Sequence, residues 1–493
     1  PGNRRLRWQL ALEDGRTHAG ESAVDEFVPQ LRIALGLPAG YHRLSIDGEA
    51  GHTFLICAPA PCHQPDVLSR GGRLWGVSLQ LYGLRSPRNW GIGDFGDLKA
   101  CTEQAAQAGA SLVGLNPLHA MFPHNPVHAS PYSPSSRGRL NVLYIDVEAV
   151  PDFADCDAAQ ALVRSDAFQA RLAALRAAPL VDYPGVSSAK HEVLALLHER
   201  FCERAANDAL VREFLAFCEE GGAALREHAL FEAIQAHWHR QDPSVWGWPA
   251  WPEDWRDPQG ETVQALARDH ARDVQFYTWL QWQAGPPVQG AGEHCRALGM
   301  PVGLYLDLAV SVDRGGSDSW GHASSFATGA SVGAPPDLLN RQGQDWGLLP
   351  LRPDRQGKSG FAPSIEALRA NMRCAGALRI DHVMMLMRLF WIPAGGKAAD
   401  GAYLRYPHQA LFAILALVSR PHRCMVGGEG LGTVPDEMRA AMQRHGVLSY
   451  RLLYFQRDAQ GAYLPPQDYP RGAIVALCTH ALATLSRWGS AAG

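Results

Sequence analysis

Seven short apolar runs recur along this chain, and their spacing is what most constrains the fold. The runs are Gly76–Leu79, Ser111–Leu115, Val302–Leu306, Ala377–Ile380, Cys424–Gly427, Val447–Leu453 and Ala473–Leu477. Helical patterns such as FGDLKACTEQAAQAG, IEALRANMRCAG and PDEMRAAMQRHG lie between several of them. Short buried strands alternating with helices imply a parallel sheet, because parallel neighbours need a long crossover. The series predicts an α/β fold, a (β/α)8 TIM-like barrel with its last unit missing. A doubly wound open sheet is the alternative, but no GxGxxG or Walker-type loop follows the first strand.

Two regions break the rhythm. Residues 1–72 carry short alternating runs, YHRLSI and HTFLICAP, broken by Gly and Pro, and read as a small N-terminal β-rich domain. Residues 73–493 then read as the incomplete barrel. Within it, residues 150–295 read as a mainly helical insertion, since Val193, Leu194, Leu197 and Phe201 recur at helical spacing.

Composition narrows the function. A net charge of −4 argues against nucleic acid and anionic membranes as partners. The longest clean apolar stretch, Ala410–Val418, is too short to span a bilayer, and the N-terminus has no apolar core of signal-peptide length. Ten scattered cysteines without zinc-like CxxC spacing fit reduced thiols in a cytoplasmic protein. A neutral or weakly polar ligand suits this balance. Of the fourteen Trp, any that lie on loops would suit stacking on sugar rings.

In a barrel, polar residues at the C-terminal ends of strands converge on one mouth. Here those positions hold Asp307, then Arg379, Asp381 and His382, then Glu429, and finally His480 followed by Ala481. Two carboxylates on different strands suit chemistry at an acetal, one ionised to attack and the other protonated for the leaving oxygen. At a separation of roughly 5–5.5 Å they would act by a retaining mechanism. Bland readings stand beside this one: Arg379 and Asp381 as a buried ion pair, Glu429 and Asp307 as helix or turn caps.

Longer motifs add a resemblance. NWGIGDFGDL, ASPYSPSSR, GASVGAPPDLLNRQGQDWGLLPL, GALRIDHVM and GEGLGTVPDEM follow one another as in 4-α-glucanotransferases of the amylomaltase type, from about Leu74 to Trp488. The resemblance implies transfer of α-1,4-glucan segments from a maltodextrin donor to a glucose or maltodextrin acceptor, with no cofactor and no metal. It implies Asp381 as nucleophile and Glu429 as general acid/base. Arg379 would bond the nucleophile, Asp307, His382 and His480 would bind the donor sugar, and Tyr132 would stack beneath it. Gln344 and Trp346 would lie on a loop closing over the glucan. The chain departs from the family in carrying Gly430 after Glu429 and Ala481 where a third carboxylate stands. It also ends about one barrel unit early. These departures predict slow turnover and leave a glucan-binding pseudoenzyme as one alternative; an α-glucan hydrolase on the same scaffold is another, against which GQDWG and SVGAPPD argue.

Overall fold

The structure, a computed structural model, describes residues 3–25, 31, 33, 36–59, 61–337, 340–430, 434–477 and 479. Its centre is a seven-stranded sheet. In chain order the strands are β1 (Gly76–Leu79), β2 (Leu112–Leu115), β3 (Gly303–Leu308), β4 (Ala377–Ile380), β5 (Met425–Gly428), β6 (Leu448–Leu452) and β7 (Ala473–Ala476). Every pairing is parallel and sequential, from β1 at one edge to β7 at the other. These are the seven apolar runs, two with identical bounds and five with ends shifted by one or two residues. The fold is the expected barrel type, and among the described residues its sheet has seven strands.

Strand alternation divides the sheet into two faces. Leu304, Leu306, Leu308, Leu378 and Ile380 join the large core under the helices. Tyr305 and Ala377, one residue out of phase, join a separate small cluster with Val302, Met425 and Leu448 on the opposite face. Asp307 and Arg379 share the phase of Tyr305 and Ala377, so they too point to that second face.

The crossover helices are α1 (Phe95–Gln107), α2 (Ala271–Ala297), α3 (Ala362–Met372), α4 (His408–His422) and α5 (Asp436–Arg444). Sequence explains α1 directly. Asp94 caps it through the Asp97 N–H, the Asp97 side chain caps back, and Phe95, Leu98, Thr102 and Ala105 form one buried face. The insertion is helical as expected, with helices at Asp157–Arg164, Asp166–Ala177, Tyr183–Cys202 and Ala209–Gln241 before α2. Its Lys190 is fully buried and donates to the carbonyls of Leu143 and Ile145, both at 2.7 Å, which ties the insertion to the loop after β2.

A second sheet was not foreseen. Val312–Asp313, Gln344–Leu349, Ala330–Ala334, Arg388–Pro393 and Ala402–Arg405 form five antiparallel strands. All five come from the segments that follow β3 and β4, so this sheet rises on the C-terminal side of the barrel. Asn3–Ala11, Thr17–Asp25, Gly40–Ile46 and Thr53–Cys57 form a four-stranded antiparallel sheet around Trp8, Leu10, Leu12 and Leu44. It meets the barrel where Phe54 faces Phe361 and Arg369 lies over the Tyr41 ring.

Candidate active site

Register brings the charged residues together. Arg379 is paired with Asp307 on β3, and Ile380 with Gly428 on β5. One residue further on, Asp381 and Glu429 occupy neighbouring positions just past their strands. Both backbones remain in the ladder there: Asp381 N–H donates to Leu308 O and Glu429 N–H to Ile380 O, each at 3.0 Å. Adjacent strands lie about 4.7–4.9 Å apart, so the two carboxylates rise from backbones at about that spacing.

Arg379 bridges the acidic groups. Its Nη1 donates to both oxygens of Asp307 at 2.7 and 2.8 Å, and its Nη2 lies 2.8 Å from Asp381 Oδ1. Tyr132 O–H donates to Asp307 Oδ2 at 2.7 Å. Burial alone would lower the Arg379 pKa, but Asp307 and Asp381 outweigh it and hold the guanidinium well above its usual value. Burial pushes the Asp307 carboxyl up to about 6, against the pull of Arg379. Burial raises the Tyr132 phenol as well, and the Asp307 charge adds to this, so Tyr132 is a donor at any ordinary pH.

His382 turns the chain between the two carboxylates. Its backbone is left-handed, φ 47°, a conformation that costs a non-glycine residue of order 1 kcal/mol. Glu429 compensates: its Oε2 accepts the His382 N–H at 3.0 Å, and its carbonyl accepts the Val383 N–H at 2.8 Å. The imidazole is pushed down to about 4 by burial and is neutral at pH 7. Its Nε2 is buried without a hydrogen-bond partner among the described residues. The ring meets Trp346 edge-on at 5.2 Å, and Trp346 donates to Gln344 Oε1 at 3.0 Å.

Trp346 therefore lies beside His382, with Gln344 bonded to it, on a strand of the second sheet and not on a loop. His480 and Ala481 lie outside the described residues. Gly430 is described, and a Cβ there would sit 3.0 Å from Val434 Cγ2, so a side chain at 430 would have to displace that valine. Sequence reading missed Tyr450 on β6, whose ring lies 5.5 Å from the Arg379 guanidinium carbon. Period-two alternation along LSYRL was the signal available for it.

Residues 79–492 match the family model described as 4-alpha-glucanotransferase, glycoside hydrolase family 77. The chain belongs to this glucanotransferase family. Residues 1–59 match the MalQ N-terminal beta sandwich domain. A 4-alpha-glucanotransferase of Haemophilus influenzae is 42% identical over 91% of this chain, which spans 65% of that relative. One from Mycobacterium bovis is 35% identical over 96% of this chain and 67% of its own length. The amylomaltase structure from Corynebacterium glutamicum superposes with a TM-score of 0.82 at 30% identity, covering 98% of this chain and 67% of that one. The fold of a Streptococcus agalactiae amylomaltase, solved in complex with acarbose, also matches, with a TM-score of 0.71 at 19% identity over 85% of this chain and 81% of that one.

Among the described residues no group of three or more His, Cys, Asp or Glu is placed to hold a metal ion.

Proposed function

We propose that this chain transfers α-1,4-glucan segments between maltodextrins by a retaining double displacement. The observation that carries the reading is the pair Asp381 and Glu429 at neighbouring register positions on adjacent strands, with Arg379 bonded to the first. In the first step the Asp381 carboxylate attacks the anomeric carbon of the donor. Glu429 gives its proton to the departing glycosidic oxygen, and a covalent glycosyl ester forms on Asp381. In the second step Glu429 takes the proton of an acceptor hydroxyl, that oxygen attacks the same carbon, and Asp381 leaves as a carboxylate. Two inversions return the α configuration.

The surrounding residues have physical roles in this scheme. Arg379 holds the Asp381 carboxylate in place through their 2.8 Å ion pair. Tyr132 supplies a ring beneath the donor sugar and fixes Asp307 through its hydroxyl. The unpartnered His382 Nε2 is available to a sugar hydroxyl, and His480 is assigned to donor binding by the family resemblance alone. Trp346 and Gln344 cover the site from the second sheet and limit water, which favours a sugar as acceptor over hydrolysis. Ala481 removes a charge that would stabilise the oxocarbenium-like transition state. Turnover is therefore slow, and Ala481→Asp is expected to raise it by about 10²-fold or more.

Maltodextrin donor and glucose or maltodextrin acceptor are the partners in this reading. The cytoplasm is the compartment we assign: the nine described cysteines are all free thiols. No described helix is long and apolar enough to cross a membrane. Incubation with maltotriose alone tests the function. A ladder of longer maltodextrins plus glucose supports transfer, and glucose with maltose alone means hydrolysis. Binding without turnover, even with Asp at 481, means a pseudoenzyme.

A further inference from the structure

Tyr132 is held at two ends. Its hydroxyl meets Asp307, and the loop that carries it meets a second acid, Asp313, six residues further along. Ser133 O–H donates to Asp313 Oδ2 at 2.9 Å, and the His128 imidazole Nε2 lies 3.2 Å from the same oxygen. The other oxygen accepts the Gly315 N–H at 2.8 Å, and the Asp313 N–H donates to Pro134 O at 2.8 Å. Asp313 is buried and pairs with Leu348 on the strand that carries Trp346. The floor and the roof of the proposed donor site thus share one anchor.

We propose that Asp313 is a positioning residue for donor binding, setting the Tyr132 ring through Ser133 and His128. The proposal rests on the reading of Tyr132 as the floor of the donor site. Asp313 touches no reacting atom in that scheme. His128 packs against the rings of Phe122 and Trp246, 5.1 and 5.3 Å away, and its Nε2 meets Asp313 as a charge pair, without hydrogen-bond geometry. Arg314, next in the chain, is engaged elsewhere, donating to the carbonyls of Thr328 and Ala330. The other titratable groups lining the cavity behind His128 are Glu232, His228, Tyr144, Tyr183 and Tyr277. His228 is bonded to Ser317 and Tyr277 to His124, and the acid in ion-pair range of His128 is Asp313, at 3.2 Å.

The Asp313 contact raises the His128 pKa. A raised histidine pairs fully at low pH and loses its charge as pH rises through the folded value, so donor binding should weaken on the alkaline side. Calorimetric titration with maltotetraose, from pH 6 to 9, tests this in the Glu429→Gln background, where the ligand survives. The ligand is uncharged, so any pH dependence belongs to the protein. Asp313→Asn should weaken binding about tenfold at pH 6 and flatten the alkaline limb. His128→Gln, which keeps a donor without a charge, should flatten that limb with a smaller loss of affinity. Asp313→Asn binding like its parent, or with the same pH profile, overturns the proposal. If Asp313→Asn does not fold, an unchanged profile in His128→Gln overturns it equally. No binding by the parent at any pH would bring down the donor-site reading itself, a different result from either.

Discussion

Arg379 holds two buried carboxylates together in space, 2.7 Å from Asp307 and 2.8 Å from Asp381. Breaking a buried ion pair by removing one partner commonly costs about 3–5 kcal/mol, because the other charge is left uncompensated. Arg379→Ala is expected to lose stability of about that size at neutral pH, measured by urea unfolding. The sign with pH follows from the groups that remain. Without the guanidinium, burial would hold the Asp307 pKa still further above the unfolded value of about 3.9. Its penalty is full at neutral pH and fades as pH falls through that raised value, so the gap to the parent should narrow near pH 4. Glu429 offers a chemical test at the same scale. Glu429→Gln should slow transfer from maltotriose by about 10²–10⁴-fold. With α-glucosyl fluoride, whose leaving group needs no proton, glycosylation should stay within about tenfold of the parent. Equal losses on both donors would remove Glu429 as the acid.

The elements set these distances. Gly376 precedes β4, and a Cβ there would collide with the Val302 carbonyl oxygen of the neighbouring segment. Gly376→Ala should therefore push β4 off β3 and shift Arg379 against Asp307, at a cost of about 1–3 kcal/mol by thermal unfolding. Trp346 belongs to the second sheet. Trp346→Ala should raise the ratio of glucose release to chain transfer, and an unchanged ratio would mean that the roof does not exclude water. The seven barrel strands were legible because each is a short apolar run between helical patterns. The second sheet was not legible. Its strands, such as SVGA and QDWGLL, are short, rich in glycine and partly exposed, so neither apolar run nor clean alternation marks them. That is why Gln344 and Trp346 read as a loop.

At the scale of the molecule, the site is a product of long-range register. Asp307 and Arg379 are 72 positions apart in sequence, and Tyr132 and Asp307 are 175 apart. The strand ends carrying Asp307, Asp381 and Glu429 could be read from sequence because a parallel barrel sends all such ends to one mouth. Tyr450 and Asp313 could not be read that way: one depends on how far β6 curls toward Arg379, the other on a loop crossing between β2 and β3. The most direct test of retaining transfer is to trap the ester. The chain is incubated with 5-fluoro-α-glucosyl fluoride, digested, and its peptides weighed. The account predicts a fluoroglucosyl label on the peptide containing Asp381 and its loss in Asp381→Asn. A label on Asp307 or Glu429, or no label from a preparation that disproportionates maltotriose, would contradict it.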